Sequence, residues 1–284
     1  MARFMTHPAQ RFQAPRSIQR GVPLKDVLGP TAISLIAESF AAIDNHFDVR
    51  AFTTAAKKNL EPLGILPRGD HIAAALQAQI QPERVAETLI AALGPALSVT
   101  EGFGLAVFFY LPHVALIRRA LINRPEEGLR ANYEITQRFS REFSIRPFLL
   151  QHQEMTLATL ERWARDPNPH VRRLVSEGSR PRLPWAERLP PFQKDPTATL
   201  ALLEQLKDDP VLYVRRSVAN HLGDIAKDHP ERAFAVARQW LEESLSLPEA
   251  TGEARRWVIR HALRHPAQKG VEVARRLRTA AGGR

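Results

Sequence analysis

A five-residue pattern occurs three times in the second half of the chain. It reads Val-Arg-Arg-Leu-Val from Val171, Val-Arg-Arg-Ser-Val from Val214 and Ala-Arg-Arg-Trp-Val from Ala254, so the copies are 43 and 40 residues apart. Spacings of this size are typical of HEAT and armadillo repeats, in which paired helices stack on their neighbours and bury a continuous core. An Asp-Pro pair precedes the first two copies, at Asp166 and Asp209, where a turn between paired helices is expected. The pattern predicts a helical-repeat fold.

The rest of the chain carries the same helical signature. Apolar residues recur at spacings of three and four almost everywhere, and strictly alternating β-branched runs are missing. We therefore predict an all-α protein, a right-handed α-solenoid of HEAT-like repeats with a concave groove that suits duplex DNA. The predicted helices include single ones over residues 71–80, 125–143 and 267–280. We expect one repeat domain over residues 23–280, a loose basic arm over residues 1–22 and a short tail over residues 281–284.

Composition narrows the class of protein. The most apolar stretch, residues 102–117, is interrupted by Pro112 and His113, which argues against a membrane span. The chain has no cysteine, which excludes disulfides, thiolate nucleophiles and cysteine-ligated metals and fits a reducing cytoplasm.

The net charge of +10 is concentrated in residues 251–284, which hold nine Lys or Arg and two Glu. Such a positive field favours polyanions through phosphate contacts and counterion release, although a solvated basic surface is the alternative. We expect a cytoplasmic protein that associates with the nucleoid through DNA.

Three acidic residues share one placement on their predicted helices. Glu142, Glu177 and Asp224 each lie roughly 60 to 110° to the same side of the apolar stripe on a helical wheel. On one row of a solenoid, these carboxylates would project onto the same stretch of groove. A carboxylate beside phosphates is repelled, but it stabilises the positive charge that develops on a sugar when an N-glycosidic bond is hydrolysed.

The alternative for each acid is a structural ion pair. The candidate partners are Arg173 or Arg180 for Glu177, Lys227 for Asp224, and Arg138 or Arg146 for Glu142.

Trp185 stands in a turn stiffened by Pro181 and Pro184. A rigidly held indole can stack on a sugar or base and stabilise a cation, although a Trp after a loop is more often a core anchor. The candidate phosphate contacts are Arg146, Arg180, Arg182, Lys227, Arg256 and Arg260.

Other catalytic motifs are missing from the sequence. It has no P-loop, no G-x-G-x-x-G and no G-x-S-x-G elbow, and its histidines lack the close spacing of metal ligands. Nucleotide-driven and serine-hydrolase chemistry therefore have no support in the sequence, and we predict that the histidines are surface or core residues.

Several segments resemble the AlkC family of alkylpurine DNA glycosylases. These segments are residues 141–148 (REFSIRPF), 171–185 (VRRLVSEGSRPRLPW) and 214–230 (VRRSVANHLGDIAKDHP), together with 23–35 (PLKDVLGPTAISL) and 257–262 (WVIRHA). The resemblance implies a monofunctional glycosylase with HEAT-like repeats that removes cationic N3-alkylated bases such as 3-methyladenine, and 3-methylcytosine as a further candidate, from double-stranded DNA. It implies no metal or organic cofactor, and it places the lesion-contacting residues at Glu142, Glu177, Trp185 and Asp224.

Some members of that family have an additional immunoglobulin-like domain after the repeats. This sequence shows no strand-rich extension, and we expect the basic helices from Glu253 onward to supply part of the DNA grip. We expect a monomer without an obligate protein partner. Two other functions stay open at this point, namely a non-catalytic nucleic-acid binder and a protein-binding scaffold on the same repeats.

Overall fold

The structure, a computed structural model, describes residues 6–139 and 142–283, and these residues form helices and turns without a strand. The α-helices, numbered in chain order, are α1 (Pro8–Arg11), α2 (Pro30–Ala41), α3 (Val49–Lys57), α4 (Ile65–Gln77), α5 (Val85–Ala91), α6 (Leu111–Ala120), α7 (Pro125–Thr136), α8 (Glu142–Gln151), α9 (Gln153–Trp163), α10 (Pro169–Gly178), α11 (Pro190–Lys194), α12 (Thr197–Leu206), α13 (Leu212–Asp228), α14 (Pro230–Ser244), α15 (Glu249–Ala262), α16 (Arg264–Gln268) and α17 (Glu272–Ala280). Short 3₁₀ turns cover Leu24–Leu28, Pro82–Arg84 and Ala106–Tyr110. The prediction of an all-α fold is confirmed.

The chain divides into two compact units, residues 1–148 and 149–284. A single repeat domain over residues 23–280 stays a prediction. No helix in the described ranges is long and apolar enough to cross a membrane.

In the first unit, α4 packs closely against α6. A Cβ atom at Gly69 would lie 2.7 Å from Cγ of Leu111, so glycine is needed at this approach. In the same unit, the fully buried His113 ring lies 5.4 Å from the Phe40 ring and 5.3 Å from the Tyr110 ring. Burial is the main reason that the pKa of His113 falls to about 3, and the charge of His7 lowers it further.

The arm over residues 1–22 was predicted to be loose, and its described part is anchored instead. The Phe12 ring is buried and lies 5.5 Å from the Phe109 ring, and the backbone N–H of Leu105 donates to the carbonyl of Pro15 at 2.9 Å. The prediction of a loose arm rested on its basic residues and did not consider buried aromatic side chains. Burial of one aromatic side chain stabilises such a segment by about 1.5–3 kcal/mol. Residues 1–5 of the arm, and Arg284 of the predicted tail, lie outside the described residues.

In the second unit, the three copies of the repeated pattern fall on α10, α13 and α15, which pack in that order. Polar contacts join each helix to the next. Nδ1 of His221 lies 2.8 Å from the carbonyl oxygen of Ser176, and Nε2 of His261 lies 3.2 Å from Oδ1 of Asn220. The predicted repeat is thereby confirmed for these helices.

Two of the predicted helices are broken in the structure. The predicted helix over residues 125–143 ends at Thr136, and α8 begins at Glu142. The hydroxyl of Ser144 donates to Oδ1 of Asn132, whereas twelve residues along one straight helix would separate them by about 18 Å. The predicted helix over residues 267–280 is interrupted at Gly270, whose φ of 85° is the left-handed conformation that glycine adopts without strain.

Candidate active site

Arg180 joins two of the three predicted carboxylates. Its Nη1 donates to Oε1 of Glu177 at 2.6 Å, and its Nε donates to Oδ2 of Asp224 at 2.8 Å. Glu177 lies in the last turn of α10, Arg180 follows that helix by two residues, and Asp224 lies on α13. All three side chains are buried, with exposed fractions of 6%, 8% and 3%. The repeat therefore brings Glu177 and Asp224 to one site, as the helical wheels predicted.

The remaining oxygen atoms of the two carboxylates also accept contacts. The hydroxyl of Ser217 donates to Oε2 of Glu177 at 2.6 Å, and Nζ of Lys227 donates to Oδ1 of Asp224 at 2.7 Å. Because Lys227 is about half exposed, its end of the cluster faces solvent. Glu177 and Asp224 thus form the ion pairs that the structural alternative predicted, and they form them together in one cluster.

The charges around Glu177 keep it ionised. Burial alone would raise the pKa of this carboxyl group, but the positive charges of Arg173 and Arg180 and the hydrogen bond from Ser217 lower it further than burial raises it. Burial likewise disfavours the charged form of Arg180, yet Glu177 and Asp224 raise the pKa of its guanidinium above the ordinary value. Glu177 and Arg180 are therefore a fixed pair of opposite charges within the cluster.

Trp185 lies at the tip of an anchored loop. The N–H of Leu189 donates to the carbonyl of Pro181 at 3.2 Å, and Arg182 donates from Nε and Nη2 to the two carboxylate oxygens of Asp228 at 2.8 and 2.5 Å. The indole itself is 75% exposed, and its backbone has a φ of 64°. The alternative interpretation of Trp185 as a core anchor is therefore wrong. Other side chains of this loop are buried, and the indole is not.

The predicted phosphate contacts other than Arg146 divide into three groups. Lys227 has its ammonium group at the surface, whereas Arg180 and Arg182 are held by the carboxylates described above. Arg256 and Arg260 both pair with Glu253, which is half exposed.

Arg146 is fully buried on α8, so the prediction that it contacts a phosphate is wrong for this structure. The residue was chosen for its charge and for its neighbours in sequence, and neither shows which side of a helix faces the core.

Glu142 is the first residue of α8 and belongs to the first compact unit. The helical wheel that placed it beside the other acids assumed one continuous helix over residues 125–143, so that part of the argument is wrong. Its role as a third catalytic carboxylate stays a prediction.

Sequence reasoning missed Ser217 and assigned Arg180 to phosphate. A signal for Ser217 exists in the repeat itself, because the second copy has this serine where the first copy has the buried Leu174. A hydroxyl at an apolar position of a repeat indicates a buried polar partner. The described residues contain no group of three His, Asp or Glu side chains suited to a metal ion.

Comparison with known proteins assigns the family. The solved structure of the Pseudomonas fluorescens alkylpurine DNA glycosylase AlkC, bound to DNA containing an abasic site analog, is similar with a TM-score of 0.77 and 34% identity, over 90% of this chain and 68% of that one. The uncharacterized protein YhaZ of Bacillus subtilis (strain 168) is 46% identical over 149 residues, which are 52% of this chain and 40% of YhaZ. AlkD2 from Streptococcus mutans has a TM-score of 0.44 and 18% identity, over 75% of this chain and 94% of that one. No family model matches the sequence.

The fold and the carboxylate cluster define a helical-repeat protein with an acidic site in a basic chain. This chain belongs to the AlkC family. The matched segment spans less than half the length of YhaZ.

Proposed function

We propose that this protein is a DNA glycosylase that hydrolyses the N-glycosidic bond of cationic N3-alkylated bases in double-stranded DNA, with 3-methyladenine and 3-methylcytosine as the candidate substrates. The observation that carries the proposal is the convergence of Glu177 and Asp224, from neighbouring repeats, on Arg180. The AlkC structure, which holds DNA with an abasic site analog, supports DNA as the ligand.

Hydrolysis of this glycosidic bond requires a negative charge near the sugar more than it requires a proton donor for the leaving base. A base alkylated on a ring nitrogen is already cationic, so it takes the electrons of the glycosidic bond and leaves as a neutral molecule. The deoxyribose then has oxocarbenium character, which nearby carboxylates stabilise. Water adds to the sugar carbon, and its proton passes to a carboxylate and then to solvent. No metal or organic cofactor takes part in this scheme.

Within the cluster, we assign the two carboxylates different roles, because their surroundings differ. Glu177 is held by Ser217 and Arg180 and supplies a fixed negative charge. Asp224 has its second oxygen on Lys227, whose exposed ammonium group can exchange this carboxylate for a DNA phosphate. Asp224 would then gain an accepting oxygen that orients the attacking water.

Arg180 keeps the two acids together in this scheme. Two carboxylates near each other repel, and the guanidinium between them offsets that repulsion while leaving the three side chains with one net negative charge. Arg180 is therefore assigned a positioning role instead of the phosphate contact that its charge suggested.

Trp185 is assigned to the deoxyribose or the lesion, because its indole is largely exposed on an anchored loop. A positive φ is uncommon for a bulky residue such as Trp185, and strained backbone conformations of this kind cluster at functional sites. We assign Arg182, Lys227, Arg256 and Arg260 to the surface that holds the phosphates, and Glu142 to the lesion as a third carboxylate.

The test is base release from methylated duplex DNA. Wild-type protein should release free 3-methyladenine, and Glu177→Gln and Asp224→Asn should each lower the single-turnover rate by about 10²–10³-fold while DNA affinity is kept. The matched controls are Glu272→Gln and Asp195→Asn, which alter exposed acids in surface ion pairs. Duplexes containing 3-methylcytosine test the second substrate.

Two results would contradict the proposal. One is wild-type protein that binds methylated duplex but releases no base while a known glycosylase does so in parallel. The other is wild-type turnover in both site variants. If the variants instead bind DNA more tightly and the wild type is inactive, the protein is a non-catalytic DNA binder.

A further inference from the structure

A second site lies in the last repeat. Trp257, Arg260 and His261 of α15, Arg264 at the start of α16 and Arg278 of α17 line a cavity of about 400 Å³, which Gly282 and Gly283 complete. The described lining thus contains three guanidinium groups and no carboxylate.

The charges of Arg260 and Arg264 are only partly balanced. Arg260 donates to Oε1 of Glu253 at 2.6 Å, and this glutamate is half exposed. Arg264 donates to neutral oxygens, namely the carbonyl of His261 and, at 3.0 Å, Oδ1 of Asn220. Burial and the positive charge of Arg180 lower the pKa of Arg264, against the opposing effect of Asp224. The cavity therefore favours an anion, which would relieve these unfavourable interactions.

The pKa of His261 is also affected by the positive charges around the cavity. Burial, followed by the charges of Arg264, Arg216 and His265, lowers the pKa of its imidazole to about 4. The ring is therefore neutral at physiological pH. It stacks on the Trp257 indole, with 4.8 Å between ring centroids and 12° between planes. The cavity thus combines guanidinium groups with a flat aromatic wall.

We propose that this cavity binds one nucleotide unit of a DNA strand, with its phosphodiester against Arg264 and Arg278 and its deoxyribose against Trp257. Guanidinium groups suit phosphate oxygens, and an aromatic face suits the apolar face of a sugar. The inference rests on the proposed function, because it takes the ligand to be the DNA that the carboxylate cluster acts on. Asn220 and Asp224 lie on the same helix, α13, which connects the two sites within residues 149–284.

The experiment measures the affinity for a labelled duplex over a range of salt concentrations, with undamaged DNA and with DNA containing a stable abasic analog. Arg264→Gln and Arg278→Gln should each reduce the slope of log Kd against log salt by about one, as the loss of one phosphate contact does. Trp257→Ala should weaken binding about tenfold without altering the slope. The matched control is Arg276→Gln, which removes an exposed guanidinium from the same helix as Arg278 and should change neither quantity.

Two outcomes would overturn the proposal. Equal slopes for Arg264→Gln, Arg278→Gln and Arg276→Gln overturn the proposal, and base release by the wild type in the same preparation shows that the proposed function survives. Micromolar binding of inorganic phosphate or a deoxynucleoside monophosphate that Arg264→Gln abolishes, with an unchanged duplex slope, assigns the cavity to a free metabolite and also overturns it. Thermal unfolding checks each variant, and Arg278→Gln decides if Arg264→Gln fails to fold.

Discussion

Arg180 and Asp224 stand 44 positions apart and meet through a buried ion pair. Nε of Arg180 donates to Oδ2 of Asp224 at 2.8 Å, and Nη2 lies 2.7 Å from the same oxygen. The third guanidinium nitrogen reaches Glu177 on the preceding helix. One side chain thus joins two acids from neighbouring repeats, so its loss should affect stability and activity together.

Arg180→Gln should therefore destabilise the protein strongly. Removing the cation leaves two buried carboxylates without their main partner, and losses of about 3–5 kcal/mol are typical of such changes. Arg182→Gln is the matched control, because Arg182 also pairs with an acid of α13 but is 30% exposed, and it should cost about 1 kcal/mol or less. Urea unfolding measures both values. Equal losses in the two variants would show that burial of the Arg180 cluster has no energetic weight.

Trp185→Gly should separate function from stability. Glycine adopts a φ of 64° without steric cost and the indole is largely exposed, so the free energy of unfolding should stay the same or rise. Loss of the stacking surface should lower base release by roughly 5- to 150-fold, as expected for about 1–3 kcal/mol. Unfolding and single-turnover release are measured on one preparation. A variant that is less stable, or fully active, would contradict the role assigned to Trp185.

The lowered pKa of His113 should make the stability of the folded protein depend on pH. Its pKa is about 3 in the folded protein and 6.5 when unperturbed, so below pH 6.5 the unfolded chain takes up a proton that the folded protein does not. Stability should be complete above pH 6.5 and should decrease as the pH falls toward 3, by up to about 1.4 kcal/mol per pH unit. His113→Leu should remove this part of the slope in unfolding measurements, whereas His46→Leu, at an exposed position, should keep it.

Phe12→Ala tests whether the arm is part of the folded protein. Its ring is buried against Phe109, and removing a buried Phe side chain typically costs about 3–5 kcal/mol. Ile18→Ala is the control within the same segment, because Ile18 is 64% exposed and its loss should cost about 0.5 kcal/mol or less. Equal, small effects of both changes on the free energy of unfolding would restore the interpretation of a loose arm.

The repeat was predictable because its copies are similar in sequence and recur at similar spacings. Copies at Val171, Val214 and Ala254 fall on helices that pack in series, and no long-range information was needed to find them. The break between Thr136 and Glu142 was not predictable in this way. Apolar spacing continues across it, and the contact between Asn132 and Ser144 that folds the chain back is tertiary.

The candidate site was partly predictable for the same reason. Glu177 stands six residues after Val171 and Asp224 ten residues after Val214, a difference of about one helical turn, so helical periodicity alone places them on one flank. The sequence offered Arg180 as a partner of Glu177 and as a phosphate contact, but it could not show that this side chain also reaches Asp224, 44 positions further along the chain. The exposure of Trp185 likewise depends on which loop side chains fill the interior, and Leu183 does so here.

The bonds between α10, α13 and α15 have a mechanical consequence. Ser176 is tied to His221, and Asn220, one residue earlier on α13, is tied to His261 and Arg264. A displacement of α15 or α16 would therefore strain the hydrogen bonds that hold α13, the helix that carries Asp224.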